Sequence, residues 1–193
     1  EQGLCSKPMH SEVTMENVAL EIDGRTVEAE EGTTVLQAAR SMGIKIPTLC
    51  NDDRLEAYGG CRMCMVEIET KWGRKRLVAS CVYPVEEGLK VQTNTEKVRK
   101  IRRMIIELLY PAWQLYAEEY GVTSSRFQTG MTDCSLCGLC VRYCSDVKKA
   151  NKIYFQGRGI DRRPALVEGA ELSCRACGEC FTLCGSGWIA SRC

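Results

Sequence analysis

The sequence predicts an α+β protein in two modules joined by helices, on three observations: alternating apolar positions that form short strands around one helix before residue 94, helical spacing from residue 95, and a cysteine-dense repeat beyond residue 130. The 193 residues suffice for one or two domains with their own cores. With 26 basic and 25 acidic side chains the formal charge is +1, which removes nucleic-acid binding as the default reading. No apolar run reaches the roughly 18 residues of a membrane span. Glu107 interrupts the best candidate, residues 104–117, and the first twenty residues lack the apolar core of a signal peptide. A cytoplasmic location is therefore expected, and in a reducing compartment the 14 cysteines are free to hold metal as thiolates.

Residues 1–14 carry no period and read as a tail holding Cys5 and the single histidine, His10; Met15 looks like a natural start. Ala19-Leu20-Glu21-Ile22 and Thr26-Val27-Glu28-Ala29 alternate around Asp23-Gly24, a pair suited to positive φ, so this stretch is expected to be a β-hairpin. Thr33 or Thr34 can cap a helix whose apolar residues are Val35, Leu36, Ala39 and Met42, with Gly43 ending it. Met65 to Ile68, Leu77 to Ala79 and Leu89 to Val91 add three strands, closing a small sheet domain over residues 15–94.

Residues 95–130 read as a helical linker. Val98, Ile101, Ile105 and Leu108 share one face, with Lys97, Arg99, Lys100, Arg102 and Arg103 elsewhere. These cations are expected to be a solvated face rather than a docking surface for an acidic partner. A second short helix is expected after Pro111, with Tyr110, Trp113, Tyr116 and Tyr120 packing against the sheet domain rather than relaying electrons.

The last module, residues 131–193, contains an internal repeat. Cys134-x2-Cys137-x2-Cys140-x3-Cys144 returns 40 residues later as Cys174-x2-Cys177-x2-Cys180-x3-Cys184. Three cysteines within seven residues can curl around three corners of an iron–sulfur cube, while the fourth lies too far along the chain and reaches the other cube. The ligand sets are therefore expected to cross. Cys134, Cys137, Cys140 and Cys184 would hold one [4Fe–4S] cluster, and Cys174, Cys177, Cys180 and Cys144 the other. Gly138 and Gly178, inside the loops, are expected to permit close backbone approach and N–H bonds to sulfur. Zinc is the competing occupant, although zinc modules usually offer two separated pairs rather than four thiols in eleven residues. This module resembles the bacterial ferredoxins with two [4Fe–4S] clusters, departing from their pattern where Ser145 and Gly185 replace the proline after each fourth cysteine.

Cys50, Cys61, Cys64 and Cys81 form a further set, C-x10-C-x2-C-x16-C, with Gly59-Gly60 before Cys61. A [2Fe–2S] core needs four thiolates, typically from a long loop and a later strand, and this arrangement meets that need, with a longer first gap than the plant-type spacing. The segments Thr48 to Asp52, Gly60 to Glu67 and Ala79 to Val85 resemble the [2Fe–2S] domain that begins the largest peripheral-arm subunit of respiratory complex I. They are also similar to diaphorase subunits of NAD-linked hydrogenases and to NAD-dependent formate dehydrogenases. The resemblance continues through Gly88 and the helix from Val98 to Leu109, and implies a β-grasp-like [2Fe–2S] ferredoxin fold. Members of that family commonly carry an extra [4Fe–4S] site with a His-x3-Cys-x2-Cys-x5-Cys pattern. This chain has no cysteine from 82 to 133 and no histidine after His10, so three clusters rather than four are expected. Cys5 and Cys193 are left over and read as bystanders.

Each oxidised cluster with four thiolates is a dianion, so three of them turn a near-neutral chain acidic. Arg62, Arg142 and Arg175 neighbour ligands in sequence and are expected to raise individual potentials. No G-x-G-x-x-G, P-loop, nucleophile elbow or conspicuous catalytic histidine is present, and Gly157-Arg158-Gly159 reads as a turn. Substrate chemistry is thus expected on other polypeptides. The resemblance implies an electron-transfer subunit of an NAD(P)-linked oxidoreductase, partnered by a flavin- and NAD(P)-binding subunit and a terminal redox subunit. A free-standing multi-cluster carrier, or an iron–sulfur subunit like that of succinate dehydrogenase or fumarate reductase, remains the alternative.

Overall fold

The computed structural model describes residues 17–127 and 133–193. The tail with Cys5, His10 and Met15, and residues 131–132 at the start of the second module, lie outside the described residues.

Strands β1 (Asn17–Ile22) and β2 (Arg25–Glu30) pair antiparallel around Asp23 at φ +49 and Gly24 at φ +79. Two successive left-handed residues give the turn whose twist matches a tight hairpin. The Asp23 carboxylate also accepts bonds from the Thr93 backbone N–H at 2.8 Å and the Thr93 hydroxyl at 2.6 Å, tying the turn to the end of β5 (Lys90–Gln92). With β3 (Met65–Glu69) and β4 (Lys75–Ala79), the strands order as β2-β1-β5-β3-β4, parallel only between β1 and β5.

Helix α1 (Val35–Ser41) begins in a capping box. Thr34 Oγ1 accepts from the Gln37 N–H at 3.3 Å, and Gln37 Oε1 accepts from the Thr34 N–H at 2.9 Å. The helix buries Val35, Leu36, Ala38 and Ala39 against Leu20, Ile22, Val66, Ile68, Leu89 and Val91 of the sheet. Helix α2 (Glu96–Leu109), capped by Thr95, packs on the same domain, with Val98 fully buried and Ile101 against the sheet core.

The structure corrects the expected apolar face of α2. Leu108 is 44% exposed, whereas Ile106 is wholly buried and Arg102 is only 3% exposed. Positions 98, 102 and 106 follow one another at intervals of four, so the inward stripe runs through an arginine that was expected on the solvated face. A second correction concerns the chain after Pro111, which forms successive turns rather than a helix. Its bonds mix spans, from Ala117 N–H to the Gln114 carbonyl and from Val122 N–H to the Ala117 carbonyl, so no continuous i to i−4 ladder develops. The turns nevertheless carry Trp113, Ala117, Tyr120 and Val122 into a cluster around Met63 and Ile106.

In the second module, α3 (Leu139–Arg142) runs directly into a π-turn over Tyr143–Val147. A hairpin follows, of β6 (Ile153–Gln156) and β7 (Arg163–Leu166), which the cysteine-dense texture had hidden. Helices α4 (Glu171–Cys177) and α5 (Trp188–Arg192) complete the module around Ile153, Ala170, Trp188 and Ile189. No helix among the described residues is long and apolar enough to cross a membrane.

The corrected face of α2 is testable by paired substitutions. Ile106→Ala is expected to cost about 2–5 kcal/mol by emptying a filled site, and Leu108→Ala at most about 0.5 kcal/mol, both read by chemical denaturation. Equal costs would return Leu108 to the core.

Candidate metal centres

The first set of thiols is assembled by three loops. Cys50 lies on the irregular stretch after α1, Cys61 and Cys64 on the approach to β3, and Cys81 just beyond β4. Cys50, Cys64 and Cys81 are buried and Cys61 is half-buried. The Cys61 N–H donates to Cys50 Sγ at 3.4 Å, and the Met63 N–H donates to Cys61 Sγ at 3.4 Å. The second bond depends on Arg62, whose φ of +61 turns the following amide back toward sulfur. Behind Cys64 three consecutive carbonyls are held. The Cys64 oxygen accepts from the Ser80 N–H at 3.1 Å and the Ser80 hydroxyl at 2.8 Å. The Met63 and Met65 oxygens accept from Arg102 Nε at 3.2 Å and Nη2 at 2.8 Å.

These thiols fall into two hydrogen-bonded pairs. The bond from Cys50 lowers the Cys61 thiol to about 6, while that same bond and burial drive Cys50 far upward. The bond from Cys81 likewise lowers Cys64 to about 6, and donation to Cys64 together with burial raises Cys81. Each pair thus shares its proton unequally, held toward Cys50 and Cys81.

In the second module the structure brings Cys134, Cys137, Cys140 and Cys184 near one another, close enough for Cys137 and Cys184 to raise both Cys134 and Cys140 by their charge. The Leu136 N–H donates to Cys134 Sγ at 3.4 Å, across the same two-residue span as Met63 to Cys61. Cys144, Cys174, Cys177 and Cys180 line a cavity of about 130 Å³ together with Tyr143 and Ile153. Cys144 sits in the π-turn, and its sulfur accepts from the Lys152 N–H at 3.1 Å. Burial pushes Cys134 and Cys174 up to about 11 and Cys180 to about 12, and raises Cys137 and Cys140 as well. Cys177 alone of the twelve is exposed.

Among the described residues no three cysteine, histidine or acidic side chains converge tightly enough for a single metal ion. Four cysteines around a cavity of about 130 Å³ suit a larger inorganic core.

Gly138 and Gly178 have left-handed backbones, at φ +77 and +59, and an added Cβ would meet no protein atom nearer than 3.4 Å at either. The N–H bonds to sulfur found in this module come from Leu136 and Lys152. One expectation about this module needs correction. Cys193, expected to be a bystander, is buried and shares a hydrogen bond with Cys174. Cys5 lies outside the described residues.

The two modules meet through side chains beside the ligand loops. Arg142, between Cys140 and Cys144, donates to the Cys50 carbonyl at 3.5 Å and to the Glu56 carbonyl, and lies 4.6 Å over the Tyr58 ring. Arg54 reciprocates, 5.4 Å over the Tyr143 ring and 3.5 Å from Thr182 Oγ1. Leu55 inserts between them against Leu139, Tyr143 and Leu183. A cleft of about 350 Å³ separates Cys61 from Cys137, lined also by Leu49, Tyr58 and Leu109. Sequence reasoning missed Ser80, Arg102 and this role of Arg142. A hydroxyl immediately before Cys81, and an arginine spaced at four from Val98 and Ile106, were the available signals.

Residues 15–96 match the model of the 2Fe-2S iron-sulfur cluster binding domain. The chain is 32% identical to the NADPH-Fe(3+) oxidoreductase subunit alpha of Geobacter sulfurreducens, over 91% of its own length and 24% of that protein. It is 29% identical to the mitochondrial NADH-ubiquinone oxidoreductase 78 kDa subunit of Candida albicans, over 91% of its length and 28% of the relative. In solved structures, an NAD+-reducing [NiFe]-hydrogenase in the H2-reduced state aligns with a TM-score of 0.65 and 27% identity, covering 79% of this chain and 76% of the other. The chain thus carries a [2Fe–2S] ferredoxin-type domain within a mixed α/β fold. It is related to subunits of NADH- and NADPH-linked oxidoreductases, and spans about a quarter of the length of the curated relatives it matches.

Because thiols must lose their protons to bind metal, the raised Cys50, Cys81, Cys134 and Cys180 make loading release protons. Anaerobic reconstitution is expected to weaken steadily as pH falls from about 8 to 6. Iron uptake independent of pH over that range would contradict these protonation states.

Proposed function

We propose that the chain is the electron-transfer portion of a multi-subunit NAD(P)-linked oxidoreductase. Cys50, Cys61, Cys64 and Cys81 would hold a [2Fe–2S] cluster; Cys134, Cys137, Cys140 and Cys184 one [4Fe–4S] cluster; and Cys174, Cys177, Cys180 and Cys144 a second. Bound there, the clusters supply one-electron carriers between a flavin- and NAD(P)-binding subunit and a terminal redox subunit of hydrogenase, formate dehydrogenase or ferredoxin-reducing type.

The observation that carries this reading is the gathering of twelve cysteines into three groups inside two domains that touch. The chain's own residues supply what such centres need. Met63, Leu136 and Lys152 direct amides at sulfur, and Leu55, Leu139 and Tyr143 exclude water where the domains meet. Arg142 and Arg54 fix one ligand loop against the other. Rigid attachment suits a subunit of a larger assembly more than a diffusing carrier, for which one cluster suffices. The thirteen described cysteines are free thiols, which suits a reducing compartment such as the cytoplasm.

Iron and acid-labile sulfide analysis of anaerobic protein, with electron paramagnetic resonance of ligand variants, tests the proposal. Cys64→Ala is expected to remove only the [2Fe–2S] signal, and Cys137→Ala to disturb both [4Fe–4S] signals through their shared small core. Zinc without iron or sulfide would end the redox reading, and an unchanged spectrum would reject the corresponding ligand assignment. Purification as a monomer that exchanges electrons rapidly with soluble donors would favour the free-standing carrier.

A further inference from the structure

Buried charge is scarce in this protein. Among the described residues only Arg102 and Glu107 are charged and less than 9% exposed. Glu107 is answered by Arg126, whose Nε lies 2.5 Å from its Oε1. Arg102 has no such answer: at 3% exposure it takes part in none of the ion pairs among the described residues. Its partners are all neutral, namely the Met63 and Met65 carbonyls and the Tyr120 hydroxyl at 3.2 Å from Nη1. Glu119, near enough to raise Tyr116 by its charge, is exposed and makes no ion pair with Arg102. Tyr116 is a phenol raised by burial, and the Tyr120 ring carries a second cation, Arg99, at 5.1 Å.

A dry guanidinium without a counter-charge is costly, and natural proteins keep buried charge paired. The two carbonyls it grips flank Cys64, and Met63 in turn donates its N–H to Cys61 Sγ. The cation therefore stands directly behind the turn that carries Cys61 and Cys64. We propose that Arg102 is a positioning residue and the counter-cation of the [2Fe–2S] site, shaping the Cys61–Cys64 turn through its donors and stabilising the added electron through its charge. This rests on the [2Fe–2S] reading of the first domain and goes beyond it by naming the residue that sets that site's potential.

The two contributions separate by substitution in the full chain. Arg102→Lys keeps the charge and loses the fork, Arg102→Gln keeps a donor and loses the charge, and Arg102→Met loses both. Arg103→Met, on the exposed side of α2, is the control. Iron, sulfide and the [2Fe–2S] signal are measured first, so an unloaded wild type rejects the cluster reading itself rather than this inference. The midpoint potential then follows from a mediated titration read by that signal. Arg102→Met and Arg102→Gln are expected to shift the reduction equilibrium at least tenfold toward the oxidised form, about 59 mV lower for one electron. Arg102→Lys should stay within threefold of wild type, and Arg103→Met should not move it. A charge-free variant that matches the control, or a lysine variant shifted as far as the methionine, overturns the proposal. If neither neutral variant loads its cluster, loading becomes the readout: a lysine variant that loads like wild type supports the role of charge, and one that fails alongside them refutes it.

Discussion

Sulfur is easiest to bury as a neutral thiol and most useful as a thiolate, and the architecture is organised around that conflict. Burial, joined by repulsion from neighbouring cysteines, raises Cys134, Cys140 and Cys180 above the ordinary thiol range. Gathering four such groups without a metal would multiply the penalty, because each thiolate repels the next. The chain answers with local dipoles rather than acidic or histidine partners. Single left-handed residues, Arg62 before Met63 and Asn151 before Lys152, re-aim the following backbone amides at sulfur. Positive φ at a branched or bulky residue is strained, and such strain characteristically accumulates where function requires a set geometry.

Much of the first domain could be read from local pattern. The hairpin, the capped helix and three further strands announce themselves by turn chemistry, period and caps, because each is decided by residues within a few positions of one another. The buried face of α2 was harder. A long cationic side chain at an inward position looks the same in sequence as one at an outward position, and the acceptors that receive Arg102, the Met63 and Met65 carbonyls and the Tyr120 hydroxyl, lie far away along the chain. The turns after Pro111 were misread for a related reason. Aromatic spacing of three and four suits a helix, but packing of Trp113 and Tyr120 around Met63 is satisfied as well by irregular backbone.

Cysteine spacing conveyed which thiols should neighbour one another, since few residues separate them and covalent reach limits the options. It conveyed nothing about Cys193, whose approach to Cys174 is set by the packing of α5 through Trp188 and Ile189. Nor could it reveal that Arg142 spans the gap between modules, because the acceptors it finds, the Cys50 and Glu56 carbonyls, are backbone atoms with no signature in residue identity. Backbone acceptors explain most of what was missed here.

The interleaving of the second module's thiols bears on how the polypeptide is made. Cys134, Cys137 and Cys140 leave the ribosome early, yet their neighbour Cys184 follows the entire group that gathers around Cys144. At roughly 5–20 residues per second, the nascent chain carries an incomplete trio for some seconds. On the proposed ligand set, iron delivered during that interval would meet three sulfurs instead of four, which favours loading after translation has passed the last of them.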